Sequence, residues 1–184
     1  MPKRPVAPQS NNESTIKLAN LPSGAFCHTG YTCLNKKVVW TGGPNTCIIL
    51  FARTRHTLLC WHFASMDALD AEKMEMVKRQ LDGLPLRGAS FFLLPGADRD
   101  PVTWDLKPDC RSMVFRPDND PTKSRIFFME FIRQFSWFDK IEFMPPAKDC
   151  KEFVVFLRSS ARPVFVKDDN FFKAHVSADA TKMM

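Results

Sequence analysis

The sequence has few of the features that mark several functional classes. Its 184 residues include one tyrosine against 17 phenylalanines, a balance that favours packing over a tyrosine-rich recognition surface. It has no run of five or six basic residues and no arginine–aromatic pattern typical of a nucleic-acid-binding module. The net charge of +6 weakly favours acidic partners, but we expect no nucleic acid among them.

Long apolar runs are also missing. No stretch approaches the length of a transmembrane helix, and residues 1–20 lack the apolar region of a cleavable signal peptide. We therefore expect no membrane association. The expected location is the cytoplasm, or a host cell reached by a route that needs no such signal. Six cysteines would permit three disulfides, but without evidence of export the prediction is reduced thiols.

The remaining composition is that of one globular domain with polar ends. Hydrophobic residues make up 45% of the chain, which is enough for a sizeable core. Residues 1–14 and 177–184 are predicted to be flexible tails around a single domain at 15–176. No internal repeat is visible.

Short apolar runs separated by turns predict strands, and two longer stretches predict helices. The first helix is expected at about 70–82, where Met74, Val77 and Leu81 recur at helical spacing. The second begins near 121 or 122 and stops before 141. The predicted strands are 37–40, 47–52, 57–64, 90–94, 112–115, 141–143, 152–157 and 164–166. This mixture predicts an α+β fold, an α/β sandwich with mixed or antiparallel sheet layers and flanking helices.

Two neighbouring apolar runs, 47–52 and 57–62, are separated by four residues, 53–56. If they pair as an antiparallel hairpin around that loop, Cys47 lies directly opposite His62. Opposed residues on one face have Cβ atoms about 4.5–5.5 Å apart. The predicted register therefore places a thiol within reach of an imidazole, and a slip of one residue would separate them.

Such a pair can perform nucleophilic chemistry. The imidazole of His62 can take the proton of Cys47, because the thiolate is the reactive form. Backbone N–H groups of the preceding loop, around Asn45 and Thr46, can form an oxyanion hole. Thr41 is the nearby candidate for a third group that orients the histidine. A core cysteine and a satisfied histidine would explain the same residues, so spacing alone leaves both interpretations open.

The arrangement Thr41-x5-Cys47, followed by a strand, a short turn and a strand ending at His62, resembles the CheD-like cysteine glutamine deamidases. That superfamily includes chemoreceptor deamidases and bacterial deamidating toxins. The family's turn before the cysteine often reads Leu-Gly-Ser, whereas this chain has Pro-Asn-Thr. The resemblance covers about residues 23–97, through the first helix and the next strand. The eukaryotic N-terminal asparagine amidohydrolases are similar over the same stretch.

The resemblance implies a function and roles for these residues. Cys47 would be the nucleophile, His62 the base and Thr41 the orienting residue of a deamidase that converts a protein glutamine to glutamate and releases ammonia. It implies no metal or organic cofactor. We expect a monomer that acts as a secreted effector or toxin on a host protein. The alternatives are an N-terminal Asn/Gln amidase, a chemoreceptor deamidase, another thiol hydrolase such as a protease or transglutaminase, and an inactive protein-binding module.

Other polar residues have weaker functional interpretations. Cys27, His28 and Cys33 suggest zinc ligation, but their spacing leaves at least one of four ligands missing. His28 can instead border the active-site entrance. A basic turn is either solvated or a surface that docks an acidic partner, and its residues are Arg53, Arg55 and His56.

Overall fold

The computed structural model describes residues 16–42, 45–64, 71–84, 86, 88–99, 140–149 and 151–170. Its strands are β1 (Thr32–Asn35), β2 (Val38–Gly42), β3 (Ile48–Arg53), β4 (Leu58–Phe63), β5 (Ser90–Pro95), β6 (Ile141–Phe143), β7 (Glu152–Leu157) and β8 (Val164–Lys167). The helix α1 (Ala71–Asp82) lies between β4 and β5. Seven of the predicted strands and the first helix are thus confirmed to within about two residues. The predicted strand at 112–115, the second helix and both tails lie outside the described residues.

The strands form two sheets. The larger has the order β1-β4-β3-β5-β6 and is mixed, since β5 and β6 are parallel and the other pairs are antiparallel. The smaller has the order β2-β7-β8 and is antiparallel throughout. The prediction of mixed or antiparallel sheet layers is therefore confirmed.

Side-chain alternation along the strands separates two hydrophobic layers. On one face of the larger sheet, Leu50 and Trp61 pack in a cluster with Leu81 of α1. On the other face, Ile49 packs in a cluster with Val154 of the smaller sheet. Because successive residues of a strand point to opposite faces, both faces of the larger sheet are buried. The order of layers is therefore helix, larger sheet, smaller sheet.

The outer face of the smaller sheet is covered by the beginning of the described chain. Two short 3-10 turns, Leu18–Asn20 and Ser23–Ala25, contribute Leu18 and Ala25 to a third cluster that includes Trp40. Trp40 therefore points outward from β2. The next residue of the strand, Thr41, must point inward toward the larger sheet.

The described ranges contain neither a membrane-spanning helix nor a disulfide. No helix in them is both long and apolar enough to cross a membrane. The four cysteines that they include are free thiols: Cys27, Cys33, Cys47 and Cys60.

Candidate active site

Thr41 and His62 meet in the space between the two sheets. His62 lies on β4 and faces the smaller sheet, because it alternates with Trp61 and Phe63, which pack on the α1 side. The Thr41 hydroxyl oxygen lies 2.6 Å from His62 Nδ1. Both residues are buried, with exposed fractions of 0% and 1%. The predicted orienting residue is therefore in direct contact with the predicted base.

The hydrogen bonds of Thr41 determine the tautomer of His62. The Thr41 hydroxyl donates to the carbonyl oxygen of Cys27 at 2.7 Å. A hydroxyl has a single proton to donate and a carbonyl oxygen can only accept, so Thr41 Oγ1 must accept from Nδ1–H of His62. In the neutral ring, Nε2 then carries the lone pair. The arrangement presents Nε2 as a base.

Burial also determines the charge of His62. It lowers the pKa of His62 from its ordinary value of 6.5 to about 4, and the nearby His28 adds to this effect. The imidazole is therefore neutral at pH 7, and Nε2 carries a lone pair rather than a proton.

A tight turn over residues 28–31 covers His62. Gly30 N–H donates to His62 O at 2.7 Å, and His62 N–H donates to Tyr31 O at 3.1 Å. The φ angle of Gly30 is +83°, in the region that glycine adopts without strain. The Thr29 hydroxyl lies 3.4 Å from Nε2 and, given the tautomer, donates to it. This second threonine on the histidine was not among the predicted site residues.

His28 lies in the same exposed turn, where its ring meets the edge of Phe26 with the centroids 4.8 Å apart. This position beside His62 suits the predicted role of His28 at the entrance to the site. The only signal for the turn in the sequence is Gly30 between polar residues.

The predicted register of the hairpin is wrong by two residues. Ile49, not Cys47, lies opposite His62, and the continued register places Cys47 opposite Ala64. The cause is the turn: Arg53 extends β3, and the chain reverses over Thr54–Thr57, where Thr54 N–H donates to Thr57 O at 2.9 Å. Because the side-chain period of a strand is two, the slip leaves the faces unchanged.

Cys47 therefore becomes a diagonal neighbour of His62. Gly96 N–H donates to Cys47 O at 2.9 Å, which extends the β3–β5 pairing by one residue beyond Ile48 and Pro95. Cys47 then shares the inter-sheet face with Ile49 by alternation. Diagonal neighbours on two paired strands are about 7–8 Å apart, and their Cβ atoms are somewhat closer. Cys47 is also partly exposed, as a nucleophile must be.

The loop before Cys47 is held by a turn at residues 96–99. Asp98 N–H donates to Asn45 O at 3.0 Å, and Arg99 Nε–H donates to Thr46 O at 2.6 Å. With the Gly96–Cys47 bond, this turn binds three successive carbonyl groups. The loop that was predicted to supply oxyanion donors thus has a defined conformation where the structure describes it.

Cys27 is a second thiol close to His62. Its Sγ lies 3.0 Å from Tyr31 O and 3.3 Å from Cys60 O. A hydrogen bond from the Cys60 side chain lowers the pKa of the Cys27 thiol, and burial acts in the opposite direction. With an exposed fraction of 1%, Cys27 lies beneath the 28–31 turn. No group of three His, Cys, Asp or Glu residues able to hold a metal ion occurs in the described parts of the chain.

The predicted basic turn lies at the other end of the hairpin. Arg55 and His56 are exposed there, whereas Arg53 donates to Ser160 O at 2.6 Å and lies 5.5 Å from the Phe156 ring. β3 spans six residues, about 20 Å at the rise of a strand. A partner bound at this turn would therefore not touch His62 directly.

Comparison with models of known protein families gives no match, and comparison with curated proteins gives none either.

The site combines the parts that acyl-transfer chemistry needs. A neutral, oriented imidazole lies on the same face of the larger sheet as a partly exposed thiol, one diagonal position away. The loop that ends at this thiol is fixed by hydrogen bonds. Nucleophile, base, orienting group and preorganised backbone are the elements of cysteine hydrolases on several unrelated folds.

Proposed function

We propose that this chain is a cysteine-dependent protein glutamine deamidase of the CheD-like type. The observation that carries the proposal is the 2.6 Å contact between Thr41 Oγ1 and His62 Nδ1. A threonine six residues before the cysteine is the orienting group that the resemblance implies, and Thr41 is in contact with the base. The two-layer arrangement of sheets suits such a fold.

In the first step, Nε2 of His62 takes the thiol proton of Cys47, and the sulfur attacks the carbon of a glutamine side-chain carboxamide. The resulting oxyanion accepts hydrogen bonds from the N–H groups of Thr46 and Cys47. The C–N bond then breaks, and the proton on Nε2 goes to the nitrogen, which leaves as ammonia.

In the second step, water attacks the thioester while Nε2 takes one of its protons. The C–S bond breaks and the thiol of Cys47 is restored with that proton. The target residue is now glutamate. The sum of the two steps is one amide and one water converted to one acid and one ammonia. No metal or organic cofactor takes part in these steps.

The low pKa of His62 distinguishes this site from one in which the thiolate and the imidazolium form a permanent ion pair. Before substrate binds, the imidazole is neutral, because burial penalises the imidazolium. Proton transfer then accompanies the attack. The imidazolium that forms is stabilised by the thiolate and by its hydrogen bond to Thr41.

We further propose that the substrate is a glutamine on a host protein reached by a secreted effector. An N-terminal amidase is the second candidate, since the same chemistry acts on an asparagine or glutamine at a chain end. An inactive binding module with the same fold is the third. The three differ in the product: an internal glutamate, a terminal acid residue, or none.

The test begins with thiol reactivity. We expect iodoacetamide to label Cys47 faster than an unfolded cysteine peptide at pH 7, because Nε2 of His62 takes the thiol proton as the sulfur attacks. His62→Ala should abolish the difference. Cys27→Ser is the matched control, because it removes the neighbouring thiol but leaves Cys47 and His62 in place. Labelling no faster than the peptide would contradict an activated nucleophile.

The product is then sought by peptide mass spectrometry. A eukaryotic cell extract is incubated with the wild-type protein, Cys47→Ala or Cys27→Ser, and glutamines converted to glutamates are mapped. We expect conversions with the wild type and Cys27→Ser only. Conversion by Cys47→Ala would exclude Cys47 as the nucleophile. Absence of any conversion in a reactive protein would favour the amidase or another thiol hydrolase.

A further inference from the structure

A buried arginine lies beneath the loop that carries Cys47. Arg99 has an exposed fraction of 1% and is among the largest fully buried side chains of the described residues. Its Nε–H donates to the carbonyl oxygen of Thr46 at 2.6 Å. Burying a guanidinium is costly unless its N–H groups are hydrogen-bonded. The bond to Thr46 O places this buried cation against the peptide group that precedes Cys47.

The backbone around Arg99 binds the same loop. Arg99 N–H closes a turn by donating to Gly96 O at 3.1 Å. From this turn, Gly96 N–H binds Cys47 O and Asp98 N–H binds Asn45 O. The Arg99 side chain supplies the middle contact, to Thr46 O. Three adjacent carbonyl groups are thus held by one turn.

Because peptide groups are planar, these contacts also determine the directions of the N–H groups of Thr46 and Cys47. In a planar trans peptide, the C=O of one residue and the N–H of the next point opposite ways, and the described chain has no cis peptide. Since Thr46 O points at Arg99, the N–H of Cys47 points away from it. Since Asn45 O points at the N–H of Asp98, the N–H of Thr46 points away from that group.

The charge of Arg99 acts on the same peptide group. A cationic donor on Thr46 O draws electron density toward that oxygen and makes the N–H of Cys47 a stronger donor. Lysine would supply the charge without the planar, fixed N–H direction of a guanidinium. The contact therefore favours arginine specifically.

We infer that Arg99 is a positioning residue, which aims and polarises the backbone N–H groups of Thr46 and Cys47 as oxyanion donors. This inference rests on the proposed deamidase function for its catalytic consequence. The sequence did not mark Arg99, since it lies beyond the stretch with the resemblance and 52 residues from Cys47.

The test compares Arg99→Lys with Arg158→Lys. Arg158 also donates to backbone carbonyls, those of Lys36 and Thr54 at 3.1 and 2.7 Å, but it does so near the turn at the far end of the β3–β4 hairpin. On a glutamine target found with the wild type, we expect Arg99→Lys to lower kcat roughly tenfold or more with little change in KM. Arg158→Lys should leave kcat unchanged.

Two further measurements separate positioning from a general loss of structure. Alkylation by iodoacetamide develops no oxyanion, so Arg99→Lys should leave the labelling rate of Cys47 near that of the wild type. Amide hydrogen exchange should rise over residues 45–48 in Arg99→Lys and over residues 54–57 in Arg158→Lys. An unchanged kcat, or a kcat that falls together with labelling and thermal stability, would overturn the inference.

The exchange measurement needs no substrate, so it stands even if no deamidation is found. Unchanged exchange over 45–48 would reject Arg99 as the residue that holds the loop. Equal conversion of glutamine by the wild type and Cys47→Ala would instead reject the proposed function. Arg99→Gln, which removes the charge and keeps one donor, is the second variant. If neither variant folds, Arg99 is a structural residue and the inference is wrong.

Discussion

At the scale of single residues, the Thr41 hydroxyl performs two tasks at once. It donates to Cys27 O and accepts from His62 Nδ1. The first bond determines the second, because the hydroxyl has one proton. A side chain without an oxygen at this position would leave both the buried carbonyl and the buried Nδ1–H without this partner.

We therefore expect Thr41→Val to reduce kcat by roughly 10²-fold, since an unoriented base loses most of its contribution. Thr41→Ser keeps the hydroxyl and should restore most of the activity. Both kcat and KM should be measured on the same glutamine target. Because valine closely matches threonine in shape, a folded but active Thr41→Val would contradict the orienting role.

At the scale of elements, the β3–β4 hairpin separates what the sequence predicts from what it does not. The apolar pattern located both strands and the faces of Cys47 and His62 correctly. It missed the register, because the turn was determined by side-chain bonds: Thr54 Oγ1 accepts from the N–H groups of His56 and Thr57 at 3.3 and 3.0 Å. A turn at residues 53–56 and a turn at residues 54–57 both fit the same apolar pattern.

The edge strand β1 was missed for a related reason. Its residues are half-buried or exposed, so no apolar alternation marks them. The strand forms by pairing with β4, where Cys33 lies opposite Cys60. Tertiary pairing of this kind overrides a weak local pattern. The 28–31 turn precedes β1 and was therefore also outside the prediction.

Strand β2 contains a close contact that bears on the site. A Cβ placed on Gly42 would lie 2.5 Å from one ring atom of Phe153 and 2.7 Å from another. Phe153 is buried, with an exposed fraction of 1%, and pairs with Gly42 across β2 and β7. The glycine therefore allows the two strands to approach immediately after Thr41.

We expect Gly42→Ala to destabilise the protein by about 1–3 kcal/mol, the usual cost of overpacking a core. Displacement of β2 should also lower kcat by moving Thr41 away from His62. Gly24→Ala is the control, because a Cβ there meets nothing within 4 Å. Urea unfolding of the two variants gives the comparison, and equal midpoints would contradict the proposed packing.

At the scale of the whole molecule, the site depends on how the two sheets pack. Thr41 belongs to the smaller sheet and His62 to the larger, and the cluster that contains Ile49 and Val154 holds the sheets together. The pairing of β2 with β7 joins distant parts of the chain, since Trp40 lies opposite Val155. Sequence spacing placed Thr41 near Cys47, but local patterns carry no information on such long-range packing.

Buried His62 also links the stability of the whole fold to pH. The pKa of His62 is about 4 in the folded protein against an ordinary value of 6.5. Between these values the unfolded chain binds a proton that the folded protein does not, so stability falls as the pH falls. From pH 7 to pH 5 the expected loss from this residue is about 2 kcal/mol. Above pH 6.5 and below pH 4 its contribution is constant.

The measurement is urea unfolding of the wild type and of His62→Gln at pH 7 and pH 5. All other ionisable residues are the same in both proteins, so the comparison isolates the contribution of His62. The wild type should lose more stability on acidification than the variant by about 2 kcal/mol. An equal loss would mean that His62 is protonated in the folded state at pH 5, and Nε2 would then carry a proton rather than the lone pair that the proposed chemistry needs.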